Sequence, residues 1–481
     1  MNTIDNPSPS KRLRKTRRLS AATGLAIAIA AAICLSAPVS YGQAQPPAPL
    51  QPHFVPAEPA NSPLGTAFGI KPGRVAWDFD PAATSWDGTS VAPGWWDDSN
   101  THPAAVEKML ADVIMSVGDA KTVQESWARI FTDFNNRKGR GNMGYMKGEK
   151  IAIKLNLNQM HDHGVGPKDS YIAPQLVQAL LGQLVDKVGA APEDITFYDA
   201  IRNVPSTIFD RCTKLYPGVH FVDTTGTDGR EKAVPDKSKP FVLSQGGELF
   251  YFPTCVTQAT YMINFAGFKG HYLAGLTATA KNHLGSFFKA DGTAGARDLH
   301  ATIAVESSGG RRGPQTIQAM GSYNSLVDLN GHDQTGGKTV LFLIDGLYAT
   351  KHNEYRLDPS CKWTSAPFNN NWTSSLFASQ DQVAIDSVAL DFLRNEPTLT
   401  QVVSGPAVDN YLHEMAQANQ PPSKTVYDPT KSGKPLASMG VHEHWNNAAD
   451  KQYSRNLGTG QGIELVALRP ASAPVVAVSN P

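Results

Sequence analysis

The chain has 481 residues, enough for one large domain or two ordinary ones, and its 41% hydrophobic and 9% aromatic content excludes a chain disordered throughout. Basic and acidic residues balance at 43 each, but residues 1–44 hold six of the basic residues and one acidic residue, which leaves 37 basic and 42 acidic residues in the remainder. A mildly acidic body is unsuited to electrostatic binding of nucleic acid, so we expect no nucleic-acid partner.

The N-terminus carries the pattern of an export signal. A basic run from Lys11 to Arg18 is followed by an alanine-rich apolar stretch of about 17 residues, and then by Gly42 and Ala44. Charged, apolar and then small residues in this order predict a signal over 1–44 that is cleaved after Ala44, whereas the alternative is a retained membrane anchor. We therefore expect a periplasmic or secreted protein with no membrane contact once the signal is removed.

The basic run also bears on the export route. Thr16 to Ser20 read TRRLS, which resembles the twin-arginine export motif, although Ser20 stands where that motif prefers a large apolar residue. The length and modest hydrophobicity of the signal point the same way. We expect twin-arginine translocation, with ordinary secretion as the alternative, and the protein would then fold before it is exported.

The next segment, 45–64, contains seven prolines and predicts an extended linker, because proline cannot donate to a helix or a sheet ladder. No internal repeat with a period of about 20 to 50 residues follows it, which excludes solenoids and propellers. We therefore treat the rest of the chain as one large unit with an elaborated C-terminal part.

Three cysteines remain after the signal: Cys212, Cys255 and Cys361. In an oxidising compartment they permit one disulfide and one remaining thiol, and their spacing does not choose the pair. Because no CxxC motif occurs, the sequence gives no support to a thiolate-rich zinc site or an iron–sulfur cluster.

The middle of the chain alternates strand and helix patterns. The helix after the first strand has apolar residues at helical spacing between Pro174 in its first turn and Gly189 at its end. Strands are predicted at 150–158, 194–200, 219–224, 261–266 and 339–346, helices at 174–189, 205–218 and 379–396, and a glycine-rich mobile loop at 290–320. Strand–helix–strand units at this spacing imply right-handed crossovers. We predict an α/β fold with a mainly parallel, Rossmann-like three-layer sheet and an elaborated C-terminal region.

The predicted strands carry Asn or Asp at or near their ends. The residues concerned are Asn156, Asn158, Asp199, Asp223, Asn264 and Asp345. In an open parallel sheet, ligands bind beyond the carboxyl ends of the strands. Lys154, Asn156 and Asn158 also share one face of their strand, which is costly in a buried strand unless a ligand, a metal or one another satisfies them. For any single residue, the alternative is a helix cap or a turn.

A second polar group lies in the stretch 261–287, YMINFAGFKGHYLAGLTATAKNHLGSF, where lysine and histidine recur among glycines. We predict a loop at the ligand edge in which Lys269 and Lys281 hold an anion, while His271 and His283 move a proton or bind a metal. Anion binding and metal binding are rival interpretations, because lysines would compete with a metal for the same carboxylates.

Two further histidine pairs have the chemistry of metal ligands. His161 and His163 directly follow the first strand, with a solvated loop as the alternative. In GVHEHWNN, His442 and His444 share one face if the segment is a strand, and packing against the neighbouring tryptophan is the alternative to metal binding. No HExxH, G-x-S-x-G, Walker or post-strand GxGxxG motif occurs, so the enzyme classes that use them find no support.

Six segments together carry a resemblance to a known family. GEKIAIKLNLN, PQLVQALLGQLVDKVG, ITFYDA, INFAGFKGH, TATAKNHLGSF and SQDQVAIDSVALDFL resemble, in this order, the domain of unknown function 362 family over about residues 148–395. The flanking parts, 65–147 and 396–481, look like extensions of an exported subgroup. The resemblance implies no particular reaction, and this chain lacks the cysteine clusters of family members with iron–sulfur modules. The polar positions that it carries over are Lys154, Asn156, Lys269, His271, Lys281, Asn282 and His283.

We expect an exported enzyme that acts on a small anionic substrate, with a divalent metal as an open question. The residues expected to be catalytic are His283, His271, Lys281 and Asp199. Those expected to bind the substrate are Lys154, Asn156, Asn158, Lys269, Asn282 and Asn264, and those expected to bind a metal are Asp345, His161 and His163. The alternatives are a non-catalytic module that binds an anion or a cofactor in an exported redox assembly, and a structural envelope protein.

Overall fold

The computed structural model describes residues 56–469 of the chain, with gaps. The residues within this range that it does not describe are 272, 294, 296–298, 305–317, 351–356 and 400–406. The predicted export signal, the first part of the predicted linker and much of the predicted loop at 290–320 lie outside the described residues. Within the described part, no helix has both the length and the apolar character needed to cross a lipid bilayer.

The elements alternate along the chain as the sequence patterns predict. The strands of the described residues are β1 Leu64–Gly65, β2 Arg74–Phe79, β3 Ile151–Leu155, β4 Ile195–Tyr198, β5 His220–Asp223, β6 Glu231–Lys232, β7 Pro235–Phe241, β8 Phe250–Pro253, β9 Tyr261–His271, β10 Gly275–Thr277, β11 Phe288–Lys289, β12 Thr339–Thr350, β13 Ser375–Ser379, β14 Val441–His442 and β15 Glu464–Ala467. The α-helices of the same residues are α1 Pro103–Gly118, α2 Val123–Arg137, α3 Pro174–Gln183, α4 Ser206–Leu215, α5 Thr254–Thr257, α6 Thr279–Asn282, α7 Ser325–Gly331, α8 Gln382–Arg394 and α9 Asn410–Ala416.

Ten strands form the central sheet. Their order is β15-β2-β13-β12-β9-β3-β4-β5-β6, and β10 pairs with β9. The run from β12 through β6 is parallel, whereas β13 is antiparallel to both of its neighbours. The prediction of an α/β fold with a mainly parallel sheet is therefore confirmed.

Two apolar layers enclose the sheet because side chains alternate along each strand. Ile151, Ile153 and Leu155 of β3 join the core cluster that also contains buried residues of α1 to α4. Ala152, on the opposite face of the same strand, joins the cluster that contains buried residues of α6 to α9. Helices on both faces of one sheet give the three-layer architecture.

The ends of two strands differ from the prediction. β9 continues to His271 and β12 continues to Thr350, several residues past the predicted ends of both strands. The glycine-rich residues after 266 were predicted to leave the sheet, but β10 folds back on β9 and pairs Gly275 with His271 and Thr277 with Lys269. Lys269 and His271 therefore lie on an extended strand and not in a loop.

Residues outside the predicted core complete the sheet and its surroundings. β2 and β15, from the two flanking regions, pair in parallel and extend the sheet beyond β13. The described end of the proline-rich segment is held against the C-terminal region, because the Asn61 amide donates to the carbonyl of His444 at 2.9 Å and Leu64 pairs with His442. This part of the predicted linker is thus a docked strap.

The sequence permitted one disulfide among three cysteines without choosing the pair, and two of the three form none in the described part of the chain. Cys212 lies buried in α4 and Cys255 lies at the start of α5, and neither forms a disulfide. Burial raises the pKa of each thiol to about 12, so both stay protonated at neutral pH.

Candidate functional site

The carboxyl ends of the central parallel strands gather most of the predicted polar residues at one edge of the sheet. Lys154 of β3 is paired in register with Asn264 of β9, and Asn264 with Phe342 of β12, three residues before Asp345. Asp199 directly follows β4, next to β3 in the sheet. Because these strands are parallel, the polar ends fall side by side as the sequence predicted.

A buried ion pair lies beneath this edge. The Lys154 ammonium group lies 3.0 Å from Asp199 Oδ2 and donates to the carbonyl of Leu155 at 2.5 Å. Burial lowers the pKa of Lys154, and the charge of Asp199 opposes that effect. A Cβ on Gly285 would lie 2.9 Å from Lys154 Nζ and 3.0 Å from Asp199 Oδ1, so any larger residue here would have to displace one of the paired groups.

A chain of amides links the ion pair to α6. Lys154 Nζ and Asn156 Nδ2 each donate to Asn282 Oδ1 at 3.3 Å. Asn282 Nδ2 donates in turn to Asn264 Oδ1 at 2.9 Å, and Asn264 Nδ2 donates to the carbonyl of Thr279 at 2.9 Å. The three asparagines thus satisfy one another, which is one of the outcomes foreseen for polar residues on a buried strand.

A small cavity lies where this network meets the end of β12. Its volume is about 20 Å³, room for about one water molecule. The residues that line it are Trp95, Asn156, Ser170, Tyr171, Gly267, Phe268, Lys269, Asp345, Tyr348 and Leu357. Lys269, Asn156 and Asp345 therefore line this cavity together with aromatic side chains. We call this the edge cavity.

Asp345 is the buried acid of the edge cavity. Its Oδ2 accepts from the backbone amide of Ala173 at 2.8 Å, and its Oδ1 accepts from that of Leu347 at 2.9 Å. Burial nevertheless raises the pKa of Asp345 to about 6, since no cationic side chain offsets the loss of hydration among the causes that act on it. A carboxyl group with this pKa exchanges its proton near neutral pH.

The two predicted catalytic histidines lie in different surroundings from those expected. His283 is fully buried with its Nδ1 3.0 Å from Ser286 Oγ, and burial and the charge of Lys154 lower its pKa to about 3. This pKa does not favour His283 as a proton carrier near neutral pH. His271 Nδ1 accepts from the backbone amides of Leu273 and Ala274 at 3.1 Å each, so that nitrogen serves the β9–β10 turn.

The two predicted anion-binding lysines line different cavities. Lys269 lines the edge cavity, whereas half-buried Lys281 lines a separate cavity of about 10 Å³ with Leu276 and Tyr411. The expectation that both lysines hold one anion stays a prediction, and their places on β9 and α6 beside different cavities do not support it. Asn158 lies beside a cation that the sequence analysis missed, since the Arg202 guanidinium donates from Nε to the Asn158 carbonyl at 2.5 Å.

The predicted metal ligands are not brought together. His161 is exposed, while the two ring nitrogens of His163 lie 2.8 Å from Asp223 Oδ2 and 2.9 Å from Asp228 Oδ2. Asp345 is engaged by backbone amides, as described above. In the described part of the chain, a different group of residues has ligand atoms close enough together to hold one metal ion. Its members are Glu58, Asp409, His413 and His442.

These features define the class of the protein: a three-layer α/β fold with a polar cavity at the carboxyl edge of its parallel strands. A family model described as Domain of unknown function (DUF362) matches residues 151–391, from the start of β3 into α8 and half of the chain. The chain therefore belongs to the domain of unknown function 362 family, and the resemblance drawn from the sequence is confirmed. Among curated proteins, none matches the chain.

Proposed function

We propose that the protein is an exported enzyme that moves a proton on a small anionic substrate bound at the edge cavity. The observation that carries this proposal is that Lys269, Asn156 and Asp345 line one cavity. The lysine supplies the positive charge for an anion, the amide orients it by hydrogen bonding, and the carboxylate accepts the proton.

Asp345 suits the role of general base better than either histidine. A base works best when its pKa is near the working pH, and the pKa of Asp345 is about 6 while that of His283 is about 3. Asp345 also lines the cavity directly, and its two backbone contacts fix the direction of its carboxylate. In this proposal His283 supports the ion pair of Lys154 and does not exchange protons with the substrate.

Lys154 and Asp199 act as positioning residues in this proposal. Their ion pair holds Asn282, which holds Asn156 at the cavity wall. Because both charges are buried, the pair keeps its geometry without contact with solvent. The substrate is then held by groups that are already oriented before it binds.

The size of the cavity favours a second candidate, a module that binds an anion without reacting with it. A space of about 20 Å³ has room for about one water molecule, so a bound anion would enter it with a single oxygen atom. A binder that holds one oxygen atom of an anion would need no wider opening. The two candidates share Lys269 and Asn156, but only the enzyme requires Asp345 to gain and lose a proton.

Ligand binding and turnover separate these candidates. Molecules that co-purify with the exported protein are identified by mass spectrometry, and formate, acetate, oxalate and inorganic phosphate are tested by calorimetry. We expect Lys269→Gln to weaken binding at least about tenfold, since it removes the cation, whereas Lys281→Gln leaves binding unchanged. Equal binding by both variants would remove the edge cavity from consideration.

Turnover tests the enzyme itself. With a substrate found among the co-purifying molecules, Asp345→Asn should lower kcat by about 100-fold or more because it removes the base. Unchanged kcat in Asp345→Asn would leave only the binding module.

A further inference from the structure

Three imidazoles and two carboxylates meet on the side of the molecule where the N-terminal strap is docked. Glu58 lies in the strap just before β1, Asp409 directly precedes α9, and His413 lies on that helix. His442 ends β14, and His444 follows two positions later, so that both point to the same face. We call these five residues the His–carboxylate cluster.

Their ligand atoms have the spacing of a coordination sphere. Glu58 Oε1 lies 3.2 Å from Nε2 of both His442 and His444, and Glu58 Oε2 lies 3.3 Å from His413 Nε2. Asp409 Oδ2 lies 3.6 Å from Nε2 of His413 and of His444. Nitrogen and oxygen ligands at about 2.1 Å from a common ion lie roughly 3.0 to 3.5 Å from one another.

Several polar atoms of the cluster are buried and receive no hydrogen bond from the described residues. They are both carboxylate oxygens of Asp409, Nε2 of His413 and Oε2 of Glu58. Asp409 is only 1% exposed, so bulk solvent does not hydrate its carboxylate, whose nearest cationic groups are the imidazoles of His413 and His444 at 3.6 Å. Buried carboxylate and imidazole groups rarely stay in this condition, because the loss of hydration is costly. A bound cation would satisfy all of these atoms at once.

Outer contacts orient the imidazoles toward a common centre. The Nδ1 atom of His442 lies 2.8 Å from Ser387 Oγ, and that of His444 lies 2.6 Å from Asp391 Oδ1. Ser387 and Asp391 are one turn apart on α8, which fixes both rings from the same helix. Metal-bound histidines are commonly held in this way by their second ring nitrogen, with a carboxylate as a frequent partner.

The neighbouring acid in the sequence has a different role. Glu443 points to the opposite side of the strand, where its carboxylate accepts from Ser454 Oγ at 2.6 Å and from the Ile463 amide at 2.5 Å. It lies within one residue of two cluster histidines but takes no part in the cluster. Glu443 is therefore a matched control for changes in the cluster.

We propose that Glu58, Asp409, His413, His442 and His444 bind one divalent first-row transition metal ion. Three imidazoles exclude the hard ions Ca²⁺ and Mg²⁺ as preferred occupants, and the absence of sulfur ligands disfavours Cu⁺. Mn²⁺, Fe²⁺, Co²⁺, Ni²⁺, Cu²⁺ and Zn²⁺ all accept this set of nitrogen and oxygen ligands, and five protein ligands leave one position of an octahedron for water. The ion fastens the strap to the C-terminal region, and the inference does not depend on the function proposed for the edge cavity.

The rival interpretation is a network of ion pairs without a metal. Burial alone would lower the pKa of His413, but Asp409 and Glu58 outweigh that effect and raise it to about 9. A protonated His413 would then balance part of the carboxylate charge. This network would bind no metal at micromolar concentration and would need none for its stability.

Metal content decides between them. The full chain is produced without a polyhistidine tag, its metals are measured by plasma mass spectrometry, and chelator-treated protein is titrated with Zn²⁺, Mn²⁺, Fe²⁺ and Co²⁺. We expect about one ion per chain and an increase in Tm by about 5 °C or more on reloading. Asp409→Asn and His444→Gln should weaken binding at least about tenfold, whereas Glu443→Gln keeps the ion.

Two results would overturn the proposal. One is less than about a tenth of an ion per chain in the wild type after exposure to each metal, and the other is undiminished affinity in both Asp409→Asn and His444→Gln. If these variants do not fold, Co²⁺ added to the wild type gives the answer through its visible absorption, which changes on coordination by imidazole. An unchanged Co²⁺ spectrum then rejects the site, and a changed one at a ratio of one supports it.

Discussion

Lys154 Nζ lies 3.0 Å from Asp199 Oδ2, and the two side chains are only 1% and 4% exposed. The pair joins the first two parallel strands of the family core beneath the edge cavity. Both partners are predicted site residues, and their contact explains why a lysine is tolerated inside a buried strand.

Removal of the Lys154 charge alone should lower the stability of the protein more than removal of both charges of the pair. Lys154→Met leaves Asp199 buried without its cation, and we expect the free energy of unfolding to fall by about 3 to 5 kcal/mol. Lys154→Met combined with Asp199→Asn should recover part of that loss. Urea denaturation of the wild type, both single variants and the double variant measures the coupling, and strictly additive losses would contradict it.

A methyl group at Gly285 should disturb the same pair. The new Cβ in Gly285→Ala would lie 2.9 Å from Lys154 Nζ, so we expect a loss of about 1 to 3 kcal/mol in the free energy of unfolding. Gly267→Ala is the matched control, since its nearest contact would be an ordinary 3.6 Å to Asn156 Oδ1. Thermal or urea unfolding compares them, and an equal loss in both would refute the assigned role of Gly285.

The free energy of unfolding should depend on pH in a way that reflects the raised pKa of Asp345. Its pKa is about 6 in the folded state against 3.8 ordinarily, so the folded state binds more protons between these values. Stability due to this group is therefore greatest below about pH 4 and falls as pH rises to about 6, by up to about 3 kcal/mol. Relative to Asp345→Asn, the wild type should lose stability over this range, and a difference independent of pH would contradict the shift.

If Asp345 is the base of the proposed enzyme, activity should rise with pH over the range in which stability falls. The carboxylate must be ionised to accept a proton, so kcat/KM should fall about tenfold per pH unit below about pH 6. The pH profile of the wild type measures this limb. A profile that stays flat down to about pH 4 would exclude Asp345 as the base.

Export by the twin-arginine route is a proposal that the N-terminal sequence carries. We expect Arg17→Lys combined with Arg18→Lys to reduce export at least about tenfold, because the paired guanidinium groups are the feature that this route reads. Lys11→Arg with Lys15→Arg is a control that keeps the charge. Mass spectrometry of the exported protein should find Gln45 at its N-terminus, and export that is unaffected by the Arg17 and Arg18 changes would favour ordinary secretion.

Local patterns were enough to predict five strands and three helices of the core, but not its other elements, such as β13. Apolar spacing with Pro174 and Gly189 predicted the helix that the structure places at α3 and the π-helical turn Leu184–Val188, and Gly189 ends it with φ of 82°. Asp381 caps α8 by accepting from the Ala384 amide at 2.9 Å. These features depend on residues a few positions apart, which is why sequence alone reveals them.

The predicted residues lie close together where strand order alone decides proximity. Lys154, Asn156, Asp199 and Asn264 meet because parallel strands end at a common edge. The separation of Lys269 from Lys281 was not predictable, since it depends on the unexpected continuation of β9 into a hairpin with β10. Glycine content suggested a loop, and pairing with a neighbouring strand overrode that preference.

By itself, the sequence determined the α/β class, the family and the edge of the sheet where polar side chains collect, because periodicity and strand-end residues are local properties. Only the tertiary structure decided that Asp345 lines a cavity, that His283 is fully buried, and that Glu58 contacts His442, 384 positions away in the sequence. Such contacts depend on how distant segments pack to exclude water, and the distances that result cannot be predicted from spacing in the sequence.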